Sequence, residues 1–467
     1  MTNPASIADT NDNTHSTIND DNGLDNILDH TLDDALENSL AHLDDLNYAT
    51  LTDALEQTVF ENFDDGLYIG MMSGTSLDGM DAVLCQFSHD SRAETNTQQP
   101  MRLLATLSQD FPPRLREVLL ALCQPNGIQE LIPTMGEPNS ELDWFGWASK
   151  AYAEFASDVV NTLLQQSNTE VESVLAIGCH GQTVRHRPQM GFSLQLLDAN
   201  IIAERTGISV VSDFRRRDMA VGGQGAPLVP AFHQALFATP DSTRVLLNLG
   251  GIANITVLPA HSNSGEDSPV IGYDTGPANL LLDAWTIQHT NKTYDASGAW
   301  AQSGQVVEPL LNQLLEHAFF SRAYPKSTGR EDFNLTWLQN ELQSFDKTSA
   351  HVRYSSADVQ ATLAELTAIS ASAQISQFIE NENENNNKNA VYVCGGGALN
   401  DYLMQRLQAH LPHCVVETTS ALGLEPTWME AVAFAWLARQ TLMGEMGNLP
   451  AVTGASKGVV LGQVCFA

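Results

Sequence analysis

Two stretches of the sequence share one plan, in which a glycine-containing tip separates two apolar runs. The first stretch extends from Leu67 to Phe87, and the second extends from Val245 to Leu258. Each has the pattern of a β-hairpin with a small-residue tip. A duplicated unit at a separation of about 180 residues predicts two related lobes that grip one ligand from both sides.

The tip of the first hairpin has a composition that suits polyphosphate. Its glycines let backbone N–H groups approach a ligand closely, and Ser73, Thr75 and Ser76 add hydroxyl groups. Asp78 and Asp81 would repel phosphate, so they indicate a divalent cation between the carboxylates and the phosphates. An ordinary turn remains the alternative, because Gly and Asp are common in turns.

Length and charge restrict the class of protein. A chain of 467 residues exceeds one ordinary core, so two domains are expected, and the net charge of −34 argues against nucleic acid or an anionic membrane surface as partner. Residues 1–65 contain 16 acidic residues and no Lys or Arg. Leucines at helical spacing within them indicate either a docking helix for a partner or a loosely attached appendage.

Several absences indicate a cytoplasmic location. No apolar run reaches the roughly 18 residues of a membrane helix, and the N-terminus lacks the basic region of a signal peptide. The six cysteines are scattered without metal-ligand spacing, so reduced thiols are expected.

Polar clusters follow two strands of the first half. His180 and Gln182 come directly after the apolar run 174–179, at the carboxyl end where open α/β sheets bind ligands. A satisfied structural histidine is the alternative. Asp213 and three successive arginines follow the second strand, and Arg presents a planar fork that binds carboxylate or phosphate. A solvated turn would explain the arginines equally well.

The second half contributes two further features. Gly395, Gly396 and Gly397 follow a buried strand and would let the backbone approach a flat ligand such as an adenine ring. Asp274 and Glu430 lie near predicted helix starts, where a carboxylate commonly serves as a cap or dipole partner.

In this order, the motifs resemble those of the anhydro-N-acetylmuramic acid kinase family. The resemblance covers residues 66–467, and Ala278 stands where the family's DTGP motif is expected to continue with glycine. Residues 1–65 and the Glu/Asn-rich insertion 380–389 fall outside it. The motifs that carry the resemblance are Gly74–Gly79, Cys179–Thr183, Asp213–Arg215, Gly223–Pro230, Leu249–Asn254, Asp274–Pro277 and Gly395–Gly397.

The resemblance implies the two-lobed α/β, ribonuclease H-like fold of the hexokinase, Hsp70 and actin group, with the active site in the cleft between the lobes. Residues 1–65 would form an extension, residues 66–242 the N-terminal lobe and residues 243–467 the C-terminal lobe. The implied enzyme opens the 1,6-anhydro ring of its sugar with water and phosphorylates O6 from ATP, with Mg²⁺, in cell-wall recycling. ATP and a small sugar are the expected partners, and a homodimer is conceivable.

The resemblance also implies roles for particular residues. Asp78 would contact Mg²⁺, and Arg217 with its neighbours would pair with the lactyl carboxylate of the sugar. The expected nucleotide-binding residues are Gly74, Thr75, Ser76, Leu77, Asp78, Gly79, Met80, Asp81, Gly250, Gly251, Asn254, Gly395, Gly396 and Gly397. The expected sugar-binding residues are His180, Gln182, Arg215, Arg217 and Asp218.

Three carboxylates are candidates for the base that activates water: Asp274 first, Glu430 in support and Asp213 in reserve. The arginines beside Asp213 would hold it ionised and lower its basicity. Asp274 follows an apolar strand and has no cation within four residues, which favours a raised pKa. Glu430 is also flanked by apolar residues and could share a water with Asp274.

Two other functions are compatible with the same fold. One is a kinase for another small sugar, which needs a base for a hydroxyl group instead of water. The other is an ATP-gated sensor of muropeptides, although such a sensor has no physical need for buried carboxylates such as Asp274 and Glu430.

Overall fold

The computed structural model describes most of the chain after residue 62. Thr75, Ser76, the predicted N-terminal helices and residues 380–388 of the insertion lie outside the described residues. The described residues are 63, 65–74, 77–88, 101–124, 126–133, 136–260, 268–349, 351–379 and 389–467.

The strands of the described chain form two larger sheets and one short hairpin. The first strand, β1 (Gly66–Met72), is buried on both faces, with Tyr68, Ile69 and Met71 inaccessible to solvent, which explains why its sequence is almost continuously apolar. The strands are β1 Gly66–Met72, β2 Gly79–Phe87, β3 Met101–Asp110, β4 Val174–Cys179, β5 Gln182–Arg187, β6 Phe192–Leu196, β7 Val210–Ser212, β8 Arg244–Leu249, β9 Ile252–Leu258, β10 Ile271–Pro277, β11 Ala390–Cys394, β12 Val415–Thr418 and β13 Gln463–Cys465.

The two larger sheets have the same topology. In the first sheet, β1, β2 and β3 pair antiparallel in sequence, and β4 and then β7 add in parallel on the other side of β1. In the second sheet, β8, β9 and β10 pair antiparallel, and β11 and then β12 add in parallel beside β8. The predicted two-lobed α/β fold of the hexokinase, Hsp70 and actin group is confirmed, including its duplicated hairpin.

Helices cover these sheets and begin at recognisable caps. Ser140 accepts a hydrogen bond from the Asp143 N–H at the start of α2, and Ser355 forms a capping box with Asp358 at the start of α10. The helices are α1 Pro113–Cys123, α2 Glu141–Ser167, α3 Ala199–Thr206, α4 Phe214–Ala220, α5 Val229–Phe237, α6 Asn279–Thr290, α7 Ala299–Ser303, α8 Glu308–Leu315, α9 Leu335–Thr348, α10 Ser356–Ile375, α11 Asp401–His410, α12 Met429–Leu442 and α13 Pro450–Thr453.

Three apolar clusters divide the interior. One cluster packs α1, α2 and α3 on the outer face of the first sheet, and another packs α6 and α8 to α11 on the outer face of the second sheet. The third cluster contains α5 and α12 together with side chains from the inner faces of both sheets, and we call it the central layer. The two sheets therefore share one layer of helices between them.

Two glycines let α12 approach the first sheet more closely than any side chain would allow. A Cβ atom on Gly70 of β1 would lie 1.9 Å from the carbonyl oxygen of Ala431. A Cβ atom on Gly178 of β4 would lie 2.0 Å from the carbonyl oxygen of Phe434. Because backbone atoms are involved on both sides, no side-chain rotation could relieve these contacts.

The end of the chain returns to the first sheet. β13 pairs antiparallel with β7, with Gln463 opposite Ser212. If the C-terminal lobe comprises residues 243–467, as predicted, its last strand is therefore part of the sheet of the N-terminal lobe. The predicted boundary at residues 242 and 243 stays a prediction. None of the six cysteines, all of which lie in described segments, forms a disulfide.

We predict that Gly70→Ala lowers the free energy of unfolding by about 2–3 kcal/mol, because the added methyl group must push α12 off the sheet. Gly146→Ala is the matched control, since Gly146 is exposed within α2 and its added Cβ meets nothing within 4 Å. That control should gain up to about 1 kcal/mol from helix propensity. Urea unfolding followed by circular dichroism measures both, and equal stabilities would contradict the packing argument.

Candidate active site

Neighbouring helices hold the tip of the first hairpin. The hydroxyl groups of Ser73 and Tyr152 are 2.8 Å apart. Arg116 of α1 donates to the Leu77 carbonyl oxygen and to Asp78 Oδ1, both at 2.8 Å. Leu77 has a φ of 58° with its side chain buried, while Asp78 remains exposed. Residues outside the tip therefore hold Ser73, Leu77 and Asp78 in place.

Two predicted nucleotide-binding residues lie beyond this tip, at the start of β2. Gly79 packs against β3, where a Cβ would lie 2.4 Å from the Gln109 carbonyl oxygen. Met80 is fully buried in the core. Packing therefore accounts for both residue types.

The tip of the second hairpin is joined to the start of α6. The Gly250 and Gly251 carbonyl oxygens accept hydrogen bonds from the backbone N–H groups of residues 278–280 at 3.0–3.1 Å. Asn279 adds a side-chain hydrogen bond to the Leu249 carbonyl oxygen at 2.9 Å. The hairpin tip and the helix therefore form one rigid unit.

The triple glycine packs against this hairpin. Gly395 has a φ of +79°, and a Cβ on it would lie 2.4 Å from Asn248 Oδ1. A Cβ on Gly397 would lie 2.5 Å from the Cβ of Leu249. Gly396 is exposed, and the nearest atom to its added Cβ is 3.6 Å away. Protein packing explains the outer two glycines, and the middle one has room for a ligand.

A row of polar side chains crosses the inner face of the second sheet. Asn248 of β8, Asn254 of β9 and Asp274 of β10 are direct cross-strand partners. Leu246 and Leu258, on the same faces of their strands, belong to the central layer. Asp274 therefore faces the space between the sheets from within β10, whereas its sequence context suggested the turn before a helix.

The Asp274 carboxylate is bound through one oxygen. Ser327 Oγ and the Thr328 N–H both donate to Oδ2 at 3.0 Å, while no hydrogen bond to Oδ1 is found among the described residues. Burial raises the pKa of Asp274 to about 6, against the effect of these two donors, and the charge of Glu331 raises it further. The raised pKa expected from the apolar strand is confirmed.

Arg215 connects several predicted sugar-binding residues. Its Nε donates to His180 Nε2 at 3.0 Å, and its Nη1 donates to the Gly225 carbonyl oxygen at 2.7 Å. Burial lowers the pKa of Arg215 to about 10, and the charges of Glu430 and Asp218 oppose this shift. Burial and the Arg215 charge lower the pKa of His180 well below its ordinary value. His180 is therefore neutral, with Nε2 as the acceptor.

Glu430 lies in the first turn of α12, and its pKa responds to charged groups on α4 and β2. Burial raises its pKa, the Arg215 charge opposes the rise, and Asp81 on the inner face of the first sheet adds to it. Burial also raises the pKa of Asp81, which Ser108 counteracts through a hydrogen bond. The expected water shared by Glu430 and Asp274 stays a prediction.

Asp218 contacts the protein through both of its oxygens. Oδ2 accepts from the Gly225 N–H at 2.8 Å, and Oδ1 accepts from Asn448 at 2.6 Å and Thr453 at 2.7 Å. Asp218 is inaccessible to solvent. These bonds fix the glycine-rich loop 222–225 to the C-terminal segment, an arrangement that differs from the expected direct role in sugar binding.

The other predicted site residues near Arg215 differ in their exposure and hydrogen bonding. Arg216 Nε donates to Asp213 Oδ1 at 2.7 Å, so an arginine does hold Asp213 as expected. Arg217 is exposed. Gln182 is buried, and its Oε1 has no hydrogen-bond partner among the described residues. Arg217 is thus accessible to a ligand, whereas Gln182 Oε1 is a buried acceptor without a partner.

Comparison with known proteins agrees with this arrangement. The family model described as anhydro-N-acetylmuramic acid kinase matches residues 66–467. The curated anhydro-N-acetylmuramic acid kinase of Psychrobacter arcticus is 82% identical over 440 residues, covering 91% of this chain and 100% of that protein. The chain belongs to the anhydro-N-acetylmuramic acid kinase family. Its relative of the same name in Shewanella oneidensis is 46% identical over 397 residues, covering 85% and 97% respectively.

Solved structures resemble this kinase-family chain only weakly. Component A of the (R)-2-hydroxyglutaryl-CoA dehydratase of Acidaminococcus fermentans aligns with a TM-score of 0.40 and 10% identity, covering 81% of this chain and 99% of that chain. A ROK family glucokinase from Streptomyces griseus in complex with glucose and AMPPNP gives 0.35 and 13%, covering 80% and 100%. Because similarities at this level are too weak to support a fold assignment, the assignment rests on the strand orders of the two sheets.

Sequence reasoning missed three residues of this kinase-family site. Arg116 and Ser327 bind the first hairpin tip and Asp274 through hydrogen bonds that span 38 and 53 residues of sequence. Asp283 of α6 has a pKa raised to about 7, mainly by burial and then by the charges of Asp78 and Asp295. Ser327 belongs to the charged loop 326–333, and nothing in that local sequence indicates its contact with Asp274.

Neither a membrane-spanning helix nor a larger cluster of metal-ligating side chains is found among the described residues. No described helix combines the length and apolar character that a membrane span requires. Among the described residues, no group of three or more His, Cys, Asp or Glu side chains could hold a metal ion.

We predict that Asp218→Asn lowers the free energy of unfolding by about 1–3 kcal/mol. Both carboxylate oxygens of Asp218 accept hydrogen bonds, so the amide NH₂ group of asparagine would point at a group that is itself a donor. Asp110→Asn serves as the control, since Asp110 is exposed at the end of β3 and should change stability by less than about 0.5 kcal/mol. Thermal unfolding of the three proteins tests this. Equal stability of the two variants would refute the role of Asp218 as an anchor of the loop.

Proposed function

We propose that this chain is an ATP-dependent kinase that opens the 1,6-anhydro ring of 1,6-anhydro-N-acetylmuramic acid with water and phosphorylates O6. The products are N-acetylmuramic acid 6-phosphate and ADP, which places the enzyme in peptidoglycan recycling. Membership of the family supports the substrate. The observation that carries the mechanism is Asp274, a carboxylate with a raised pKa and one unbound oxygen, facing the layer between the sheets.

In this reaction, Asp274 takes a proton from water as the water oxygen bonds to the anomeric carbon. The bond from that carbon to O6 breaks, O6 bonds to the γ-phosphorus of ATP, and the bond from that phosphorus to the bridging oxygen of ADP breaks. A base with a pKa of about 6 is ionised at neutral pH and is more basic than an ordinary aspartate. Both properties suit the attack on the anomeric carbon.

The hairpin tips are our candidates for the phosphate sites. The residues Gly74 to Asp81 would meet the phosphates from the first sheet, and Gly250 with Gly251 would meet them from the second. Preorganised backbone groups stabilise the charge that develops during phosphoryl transfer. The exposed Gly396 would lie beside the nucleotide, where its lack of a side chain leaves room.

Mg²⁺ fits the carboxylates at the first tip. The charge of Asp78 contributes to the raised pKa of Asp283 on α6, so the two carboxyl groups lie close enough to interact. Mg²⁺ is usually held by one or two carboxylates together with water and phosphates, which agrees with the lack of a larger ligand group among the described residues. When bound, the ion would offset charge on the phosphates.

The sugar would be held by groups that converge on Arg215. His180 and Arg215 form one hydrogen-bonded pair, and Gln182 Oε1 is a buried acceptor without a partner among the described residues. Arg217 is exposed and could pair with the lactyl carboxylate. Glu430 would support Asp274 from α12.

A cytoplasmic location follows from the use of ATP and agrees with the six unpaired cysteines. A homodimer stays an untested prediction.

The proposal is tested with the purified full chain, ATP, Mg²⁺ and the anhydro sugar, using coupled detection of ADP and mass analysis of the product. The expected product carries both one phosphate and one added water. A phosphorylated sugar that retains the anhydro mass would identify an ordinary sugar kinase. ADP formed without a sugar phosphate would refute the proposal.

We predict that Asp274→Asn lowers kcat by at least about 10³-fold, some 4 kcal/mol of barrier, while ATP binding persists. Asp213→Asn is the comparison, because Asp213 is held by Arg216 and should affect sugar binding more than chemistry. Single-turnover kinetics separate the two effects. If Asp274→Asn reacts normally and Asp213→Asn is inactive with normal sugar affinity, the two roles must be exchanged.

The pH dependence follows from the same carboxylate. Because the base must be ionised and its pKa is raised to about 6, kcat/KM of the wild-type enzyme should fall as the pH decreases through about 6. An ordinary aspartate would keep its activity down to about pH 4. A profile that is flat between pH 5 and pH 7 would contradict the role of Asp274 as base.

A further inference from the structure

The two donors to Asp274 bind the same oxygen. Ser327 Oγ and the Thr328 N–H each lie 3.0 Å from Oδ2. A carboxylate held in this way cannot exchange its two oxygens by rotation without breaking both bonds. Only Oδ1 is then left to accept a proton.

The segment that provides these donors is anchored at both ends. At one end, the Lys326 ammonium lies 4.7 Å from the centroid of the Phe319 ring, and the Lys326 carbonyl oxygen accepts from the Asp274 N–H at 3.1 Å. At the other end, Phe333 is inaccessible to solvent, and its N–H donates to the Gly329 carbonyl oxygen at 3.1 Å. The backbone around Ser327 is therefore fixed by contacts that do not involve the Ser327 side chain.

We propose that Ser327 is a positioning residue that holds Oδ2 of Asp274 and so selects Oδ1 as the atom that receives the proton from water. The inference rests on the proposed function through the role of Asp274 as base. The Ser327 side chain is exposed. Among the described residues, its one side-chain hydrogen bond is the bond to Asp274.

The effect of the Ser327 hydrogen bond on the pKa of Asp274 can be measured, because few charged groups surround this carboxylate. Glu331 is the charged group that acts on Asp274, and it belongs to the same loop. The neighbouring strand places the uncharged Asn254 opposite Asp274, and α13 contains no charged residue. On α10, Asp358 binds Ser355 and Glu365 binds Arg406. A donor to the ionised form lowers a carboxyl pKa, so removing the Ser327 hydroxyl should raise that of Asp274.

Ser327→Ala tests the proposal by kinetics. We expect kcat to fall about tenfold, an effect of one lost hydrogen bond to a charged group, with KM for the sugar changed by less than about threefold. The acidic limb of kcat/KM should move to higher pH by about half a unit or more. Ser327→Thr keeps the hydroxyl group and should restore both. Ser321→Ala removes another exposed hydroxyl, one that binds the Ala318 carbonyl oxygen, and should change neither.

A second readout does not require turnover. In protein labelled with ¹³C at the aspartate carboxyl carbons, the Asp274 resonance is identified by its loss in Asp274→Asn and is titrated with pH. A higher pKa in Ser327→Ala than in wild type and Ser321→Ala supports the proposal, even if the anhydro sugar proves not to be the substrate. An unchanged titration, or a loss of thermal stability with an unchanged pH profile, would overturn it.

Discussion

The close contact between α12 and the first sheet fixes the geometry on which the rest of the structure depends. Gly70 and Gly178 lack side chains where the backbone of α12 passes, so the helix lies directly on β1 and β4. The opposite side of the central layer is closed by the second sheet. Glu430, in the first turn of α12, is thereby held between the hairpin-bearing sheets, near Arg215 and Asp81.

Asp274 and Glu430, two partly buried carboxylates beside the central layer, have different surroundings, which separates their roles. Asp274 is bound by neutral donors, so burial dominates and its pKa rises to about 6. Glu430 is also raised by burial, but the Arg215 charge opposes the rise. Enzymes commonly assign proton transfer to the carboxylate that lacks a cationic partner. This contrast favours Asp274 as the base and Glu430 as the group that orients water or sugar.

The sequence was sufficient for features that depend on local pattern. The duplicated hairpins with glycine tips and the raised pKa of Asp274 were predicted, because apolar runs, glycine-containing tips and uncharged neighbours are visible along the chain. The contacts of Asp218 with Asn448 and of Ser327 with Asp274 were not, because they join segments 230 and 53 residues apart. For the triple glycine, the sequence predicted close approach to a ligand. In the structure, packing against Asn248 and Leu249 explains why two of the three residues are glycine.

The central claim is that Asp274 directs a solvent water to the anomeric carbon while O6 accepts the phosphoryl group. A single turnover in H₂¹⁸O, quenched quickly and analysed by mass spectrometry with fragmentation, tests this most directly. The account predicts one ¹⁸O atom at C1 of the sugar phosphate and none in its phosphate group. An unlabelled sugar, or label found in the phosphate, would contradict it.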